Sequence, residues 1–165
     1  MSALNNFMSS EQFEFLKPLE THWRQIYAEY CAVAALAQPW HEQGLHNGLW
    51  RTFGIYHCGD RLPGEKMCPT TAKLVHAVPG LFIAGFSVLK PQCNIKPHVG
   101  YTGEVLRSHL GLACPSQAWL KVDDEKYHWA PGQVVVFDDT QMHCAGNDST
   151  EDRVVLIVDF LRPDN

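Results

Sequence analysis

With 165 residues, 45% of them apolar and 19% charged, the chain can bury one hydrophobic core and has the composition of a globular protein. Its formal charge of −5 and isoelectric point near 5.9 exclude a general nucleic-acid binder, which needs a basic face to neutralise phosphates. One domain over 1–165 is expected.

The opening stretch MSALNNFMSSEQFEF has no basic segment followed by an apolar run, so no signal peptide is expected. The longest run of small apolar residues, Ala32 to Ala37, is too short to span a bilayer. A cytoplasmic protein with no membrane partner is the expectation. From 10 to 37 the sequence reads as helix. Ser9 or Ser10 can cap it, and Phe13, Leu16, Leu19, Trp23, Ile26, Tyr27 and Tyr30 recur at three- and four-residue steps. Pro18 interrupts this pattern and is expected to split it, and Gln38-Pro39 ends it before a loop reaching Gly48.

Leu49–His57 alternates and is rich in aromatic and β-branched residues, which predicts a strand. A polar loop, Gly59–Lys66, and a short helix, Pro69–Val78, precede a turn at Pro79-Gly80. Apolar or alternating runs then follow at Leu81–Leu89, Val105–Cys114, Ala118–Val122, Val134–Asp138 and Arg153–Leu161. Many short strands after an initial helix predict an antiparallel sandwich or barrel, with a helical lead at 10–37 and a β core at about 49–163. No GxGxxG is present and helices do not alternate with the later strands, which disfavours a dinucleotide fold. Six cysteines lack CxxC spacing and read as small buried hydrophobes rather than a zinc site or disulfides.

The chemistry-bearing residues sit in the second half. His98 and His143 each lie at the edge of a strand-like segment, and Arg153 follows the second. Imidazole is the commonest protein ligand for iron, zinc, nickel and copper, and guanidinium grips a carboxylate with two parallel bonds. A histidine pair with a trailing arginine therefore suggests a metal centre with an anion anchor. The facial triad of non-haem iron adds a carboxylate to two histidines; two positions after His98 stands Gly100, which leaves a coordination position open. Asp138 and Asp139 can orient His143 or cap a turn, and both readings stay open. His22, His41, His46, His57, His76 and His128 have no converging spacing and read as structural.

The segment Phe86 to Pro163 resembles the aspartyl/asparaginyl β-hydroxylase family of iron(II)- and 2-oxoglutarate-dependent oxygenases. The resemblance rests on FSVLKP at 86–91, PHVG at 97–100, RSHLGL at 107–112, WAPGQVVVFDDTQMH at 129–143 and RVVLIVDFLRP at 153–163, with IYHCG at 55–59 upstream. It implies a mainly β, cupin-like jelly roll, the double-stranded β-helix, with the helical segment packed on the sheet. It also implies that His98 and His143 hold iron(II), and a glycine at position 100 belongs to the family pattern. Arg153 would clamp 2-oxoglutarate, with His109, Ser87 and Tyr56 beside it, and Arg107 would reach an anionic group of the substrate or the cosubstrate. The implied reaction consumes O2 and 2-oxoglutarate, hydroxylates an aspartyl/asparaginyl-type or other small amino-acid-like substrate, and releases succinate and CO2.

The expected partner is a small-molecule, aminoacyl or peptide substrate bearing a carboxylate or similar anion. The family pattern has a second basic residue two before Arg107, where this chain has Val105, so only one carboxylate or a different substrate is implied. Three rival readings remain: a jelly-roll binding module without catalysis, a halogenase using the position left by Gly100, and a cupin-type zinc enzyme. The last needs three or four converging ligands.

Overall fold

The computed structural model describes residues 6–163; positions 1–5 and 164–165 of the expected 1–165 span lie outside the described residues. In chain order the chain forms β1 (Met8–Ser9), α1 (Lys17–Thr21), α2 (Trp23–Val33), β2 (Gln38–Pro39), β3 (Trp50–His57), β4 (Asp60–Arg61) and α3 (Pro69–His76). There follow β5 (Leu81–Leu89), β6 (Asn94–His98), β7 (Val105–Ala113), β8 (Ala118–Val122), β9 (Glu125–Tyr127), β10 (Val134–Phe137), β11 (His143–Asn147) and β12 (Arg153–Leu161). Pairing is antiparallel throughout. Eight strands make a major sheet in the order β1-β10-β7-β12-β5-β3-β2, with β4 on β3, and four make a minor sheet, β6-β11-β8-β9.

β12 at the centre of the major sheet sets the two cores. Its even-numbered side chains, Val154, Leu156, Val158 and Phe160, pack outward with the helical residues Leu16, Leu19, Ile26, Tyr30 and Val33. Val155 and Ile157 point the other way and meet Ile95, Leu120 and Ala145 of the minor sheet. Both faces are therefore buried from Arg153 to Phe160. A one-residue slip would drive Arg153 and Asp159 into the helix-covered core, so the register is strongly specified.

The helical lead breaks where the sequence did not suggest. Pro18 stands in the first turn of α1, where its missing N–H costs nothing, and the interruption falls at His22. The expected loop from Gly59 to Lys66 contains β4 and a 3-10 turn at Pro63–Lys66. The two histidine segments, expected only as strand edges, are strands in their own right. All six cysteines are free. Among the described residues no helix is long and apolar enough to cross a membrane.

Candidate active site

β6 and β11 are neighbours in the minor sheet, and their ladder sets His98 directly opposite His143, with ring centroids 4.3 Å apart. Each ring is pinned the same way. His98 Nδ1 bonds the Lys96 carbonyl at 2.8 Å, and His143 Nδ1 bonds the Gln141 carbonyl at 2.8 Å. A carbonyl only accepts, so each Nδ1 carries the proton and each Nε2 keeps its lone pair free for a ligand. Burial lowers the His143 pKa to about 4; the Gln141 carbonyl opposes this, and His98 and Arg107 reinforce it. His143 is thus neutral at pH 7, the state that binds metals. Among the described residues no third His, Cys, Asp or Glu joins the pair to make a ligand cluster.

The space beside Gly100 is occupied by the Asp139 carboxylate. Gly100 N–H donates to the Asp139 carbonyl at 2.7 Å, and any side chain at position 100 would collide with the Asp139 carboxylate. Asp139 is buried, and its Oδ1 has no hydrogen-bond partner among the described residues. Burial raises its pKa, opposed by Arg107 and His98. Of the two readings left open for the Asp138-Asp139 pair, turn capping belongs to Asp138, whose Oδ1 accepts from Thr140 N–H at 2.9 Å and from the Thr140 hydroxyl at 2.6 Å. Gly100→Ala should push the Asp139 carboxylate aside at a cost of about 1–3 kcal/mol, as overpacking does. Its urea midpoint should fall, and an unchanged midpoint would show that Asp139 is not held there.

Deeper in the same cavity the groups are almost all hydrogen-bond donors. Arg153 is 2% exposed, and its guanidinium has no carboxylate partner among the described residues. It lies over the Trp129 ring at 4.4 Å, and its Nη2 donates to Ser87 Oγ at 3.0 Å and the Ser87 carbonyl at 3.2 Å. Its Nε is buried with no partner, and burial lowers its pKa to about 10. Ser87 Oγ also accepts from Trp50 Nε1–H at 2.9 Å, so both lone pairs are used and its own proton remains to be donated. His109 Nδ1 accepts from Trp129 Nε1–H at 3.1 Å, which leaves Nε2–H as the donor on a ring that burial, Arg153 and Arg107 keep neutral. Removing a guanidinium from water costs several kcal/mol, and an unmade hydrogen bond costs about 1–3 more. The stacking on Trp129 returns only about 2 kcal/mol. The guanidinium therefore keeps the charge and the free donor that an anion would engage.

Ser87, His98, Arg107, His109, His143 and Arg153 all line this one cavity, together with Trp50, Ile95, Leu120, Phe137 and Ile157. Tyr56 does not. A β-bulge between Gly54 and Tyr56 breaks the alternation that would return position 56 to the Trp50 face. Tyr56 packs instead against the helix-covered core and edge-on to His76, so a cosubstrate role for it is withdrawn. Arg107 lines the cavity but is already engaged. It stands opposite Asp159 in the ladder and donates through Nε at 2.9 Å and Nη2 at 2.8 Å to the two Asp159 oxygens, with Asp139 at 3.9 Å. Trp50, Trp129 and Asp159 had no role in the sequence reading. Strand alternation was the available signal for Asp159, which shares a face of β12 with Arg153.

The family model described as Aspartyl/Asparaginyl beta-hydroxylase matches residues 20–163. An ornithine lipid ester-linked acyl 2-hydroxylase from Rhizobium tropici is 38% identical over 118 residues, covering 69% of this chain and 42% of that protein. Aspartate beta-hydroxylase domain-containing protein 2 from Homo sapiens is 32% identical, covering 95% of this chain and 47% of its own length. Human aspartyl/asparaginyl beta-hydroxylase is 30% identical, covering 92% of this chain and 21% of its own length. The chain therefore spans less than half of each of these relatives. A prolyl-4-hydroxylase from Pseudomonas putida superposes with a TM-score of 0.57 at 16% identity, covering 87% of both chains, and so shares the fold.

Proposed function

The chain belongs to the aspartyl/asparaginyl β-hydroxylase family, and from that premise we propose that it is an iron(II)- and 2-oxoglutarate-dependent hydroxylase. The observation that carries this reading is Arg153, a buried guanidinium without an acidic partner, set among donors in the cavity that the histidine pair also lines. A metal ion fits the donor set. Two imidazoles, each with Nδ1 bonded to a backbone carbonyl, present their Nε2 atoms, and the unpartnered Oδ1 of Asp139 supplies negative charge that a two-histidine site otherwise lacks. His98 and His143 would hold iron(II), which when bound supplies oxygen activation.

The protein's own residues bind, orient and exclude water. Arg153 neutralises one carboxylate of the cosubstrate, Ser87 Oγ–H and His109 Nε2–H donate beside it, and Trp129 fixes both Arg153 and His109. Ile95, Leu120, Phe137 and Ile157 keep the surroundings dry, which strengthens every charge-assisted bond inside. The Asp139 carboxylate beside Gly100 would repel a halide, which favours hydroxylation over halogenation. A zinc enzyme of cupin type lacks its third ligand among the described residues.

The test is direct. Anaerobic calorimetry on the Mn(II)-loaded protein should show 2-oxoglutarate binding, and the iron(II)-loaded protein in air should convert it to succinate. No binding of 2-oxoglutarate to the metal-loaded protein would overturn the reading.

A further inference from the structure

A second concavity lies on the helix-covered side of the major sheet, away from the histidine pair. It is a groove of about 810 Å³ between α3 and the segment from Arg61 to Lys66, a size that suits a small ligand. α3 contributes Pro69, Ala72, Lys73 and His76, the i, i+3, i+4 and i+7 positions of one helix face. The opposite wall is β4 and the turn that follows it, with Arg61, Leu62, Pro63, Glu65 and Lys66. Both walls are fixed before any ligand arrives. Leu62 N–H donates to the Ile55 carbonyl at 3.0 Å, and a Cβ at Gly64 would strike the Gly54 carbonyl and the Phe53 ring, so the turn lies tight on β3. Glu29 of α2 accepts from Thr70 N–H at 3.0 Å and Thr71 N–H at 2.7 Å, which ties down the start of α3. A groove built in advance loses little freedom on binding.

The charge of this groove opposes that of the whole chain. The sequence has 18 Asp and Glu against 13 Lys and Arg, yet the groove holds three such cations and one carboxylate. That carboxylate is already engaged. Glu65 Oε1 accepts from His76 Nε2–H, its Oε2 meets Arg61 Nη1 at 3.5 Å, and its side chain is only 10% exposed. Lys66 and Lys73 are exposed, and neither has an ion-pair partner among the described residues. They stand on opposite walls, so their charges face one space, whereas a solvated charged face runs along a single element. Three cations against one carboxylate leave an excess of two, which a phosphate monoester matches with about −1.5 to −2 charge and three acceptor oxygens. Lysine binds phosphate as a point charge, and Leu62, Pro63, Pro69 and Ala72 offer apolar wall beside it.

We propose that this groove is a second binding site, for a phosphate monoester of a small organic molecule. Arg61, Lys66 and Lys73 take the phosphate, and the proline-lined walls take the organic part. The site is independent of the hydroxylase reading, because it shares no lining residue with the cavity of the histidine pair.

The probes are phenyl phosphate, inorganic phosphate and phosphatidylcholine vesicles containing phosphatidylglycerol. Each is titrated into the full chain loaded with Mn(II) and saturated with 2-oxoglutarate; calorimetry reads the soluble probes and sedimentation the vesicles. Phenyl phosphate should bind, and inorganic phosphate should bind about tenfold more weakly, because it keeps the charge and loses the apolar contact. Replacing both lysines, Lys66→Ala with Lys73→Ala, should weaken phenyl phosphate binding by about tenfold or more, even with the screening that exposed charges suffer. Glu65→Gln keeps the shape and removes the one carboxylate, so it should tighten binding, a gain that misfolding cannot produce. The proposal is overturned by no binding of phenyl phosphate or by equal affinity for inorganic phosphate. It is overturned as well by preference for the anionic vesicles, which would make the groove a lipid-surface contact, or by full affinity in the double lysine variant. That variant decides the matter whether or not 2-oxoglutarate occupies the cavity at Arg153, so the two readings fail separately.

Discussion

His143→Ala is expected to lose iron binding and 2-oxoglutarate turnover together while the jelly roll stays folded. Only two protein nitrogens face the proposed metal position, so one substitution halves the protein's ligand set. Loss of a partner that merely orients a ligand typically costs 10–100-fold in metal affinity, and loss of a ligand should exceed about a hundredfold. The fold should survive because the ring makes one hydrogen bond among the described residues, to the Gln141 carbonyl, and otherwise lies beside the Phe137 and His98 rings. One such bond is worth about 1 kcal/mol net, against about 5–15 kcal/mol for a domain. His98→Ala should behave alike, with a smaller stability change because that ring is only half-buried. Iron stoichiometry by elemental analysis, read beside circular dichroism, decides it. Full iron occupancy in either variant would remove the metal assignment.

Long, regular strands were legible and short or chemically loaded ones were not. Leu81–Leu89, Ala118–Val122 and Arg153–Leu161 appear with the bounds that their apolar patterns predict. β6, NIKPH, and β11, HCAGN, were not visible as strands, because Asn, Lys, Pro and Gly have low strand propensity. These are the strands that carry the histidines. Their composition suits the site, and pairing with β8 supplies the ladder that propensity does not. Tyr56 failed for a related reason: a bulge is invisible in an alternating pattern, yet it moves every later side chain on the strand to another face.

The residues that complete the site were hidden because they act through others. Trp129 touches Arg153 by its face and His109 by its N–H, and neither contact follows from the spacing of three residues on separate elements. Asp139 was expected to orient a histidine or cap a turn; instead its carboxylate occupies the room that Gly100 makes available. Motifs carried the identities of Arg107 and Arg153, but only packing separates their roles. One guanidinium is neutralised by Asp159, and the other is buried with no acidic partner among the described residues.

That difference makes Arg153→Lys the second decisive variant. The native guanidinium divides its work: Nη2 is spent on Ser87, the plane lies on Trp129, and Nε is left to meet a ligand. Lysine has a point charge and cannot hold Ser87 and a carboxylate with fixed parallel donors. A buried ammonium also sheds its proton more readily than guanidinium, so part of the charge would be lost at pH 7. Losing a charge-assisted bond costs roughly 1.5–3 kcal/mol, on the order of ten- to a hundredfold in affinity. The dissociation constant for 2-oxoglutarate on the Mn(II)-loaded protein should rise by that factor, and metal binding in the absence of cosubstrate should hardly move. Arg107→Lys gives the contrast. Its partner is Asp159, so its main cost should fall on the urea midpoint, with cosubstrate affinity little changed. Equal losses of 2-oxoglutarate affinity in the two variants would mean that the cavity has two anion anchors, and the assignment of Arg153 as the one without an acidic partner would fail.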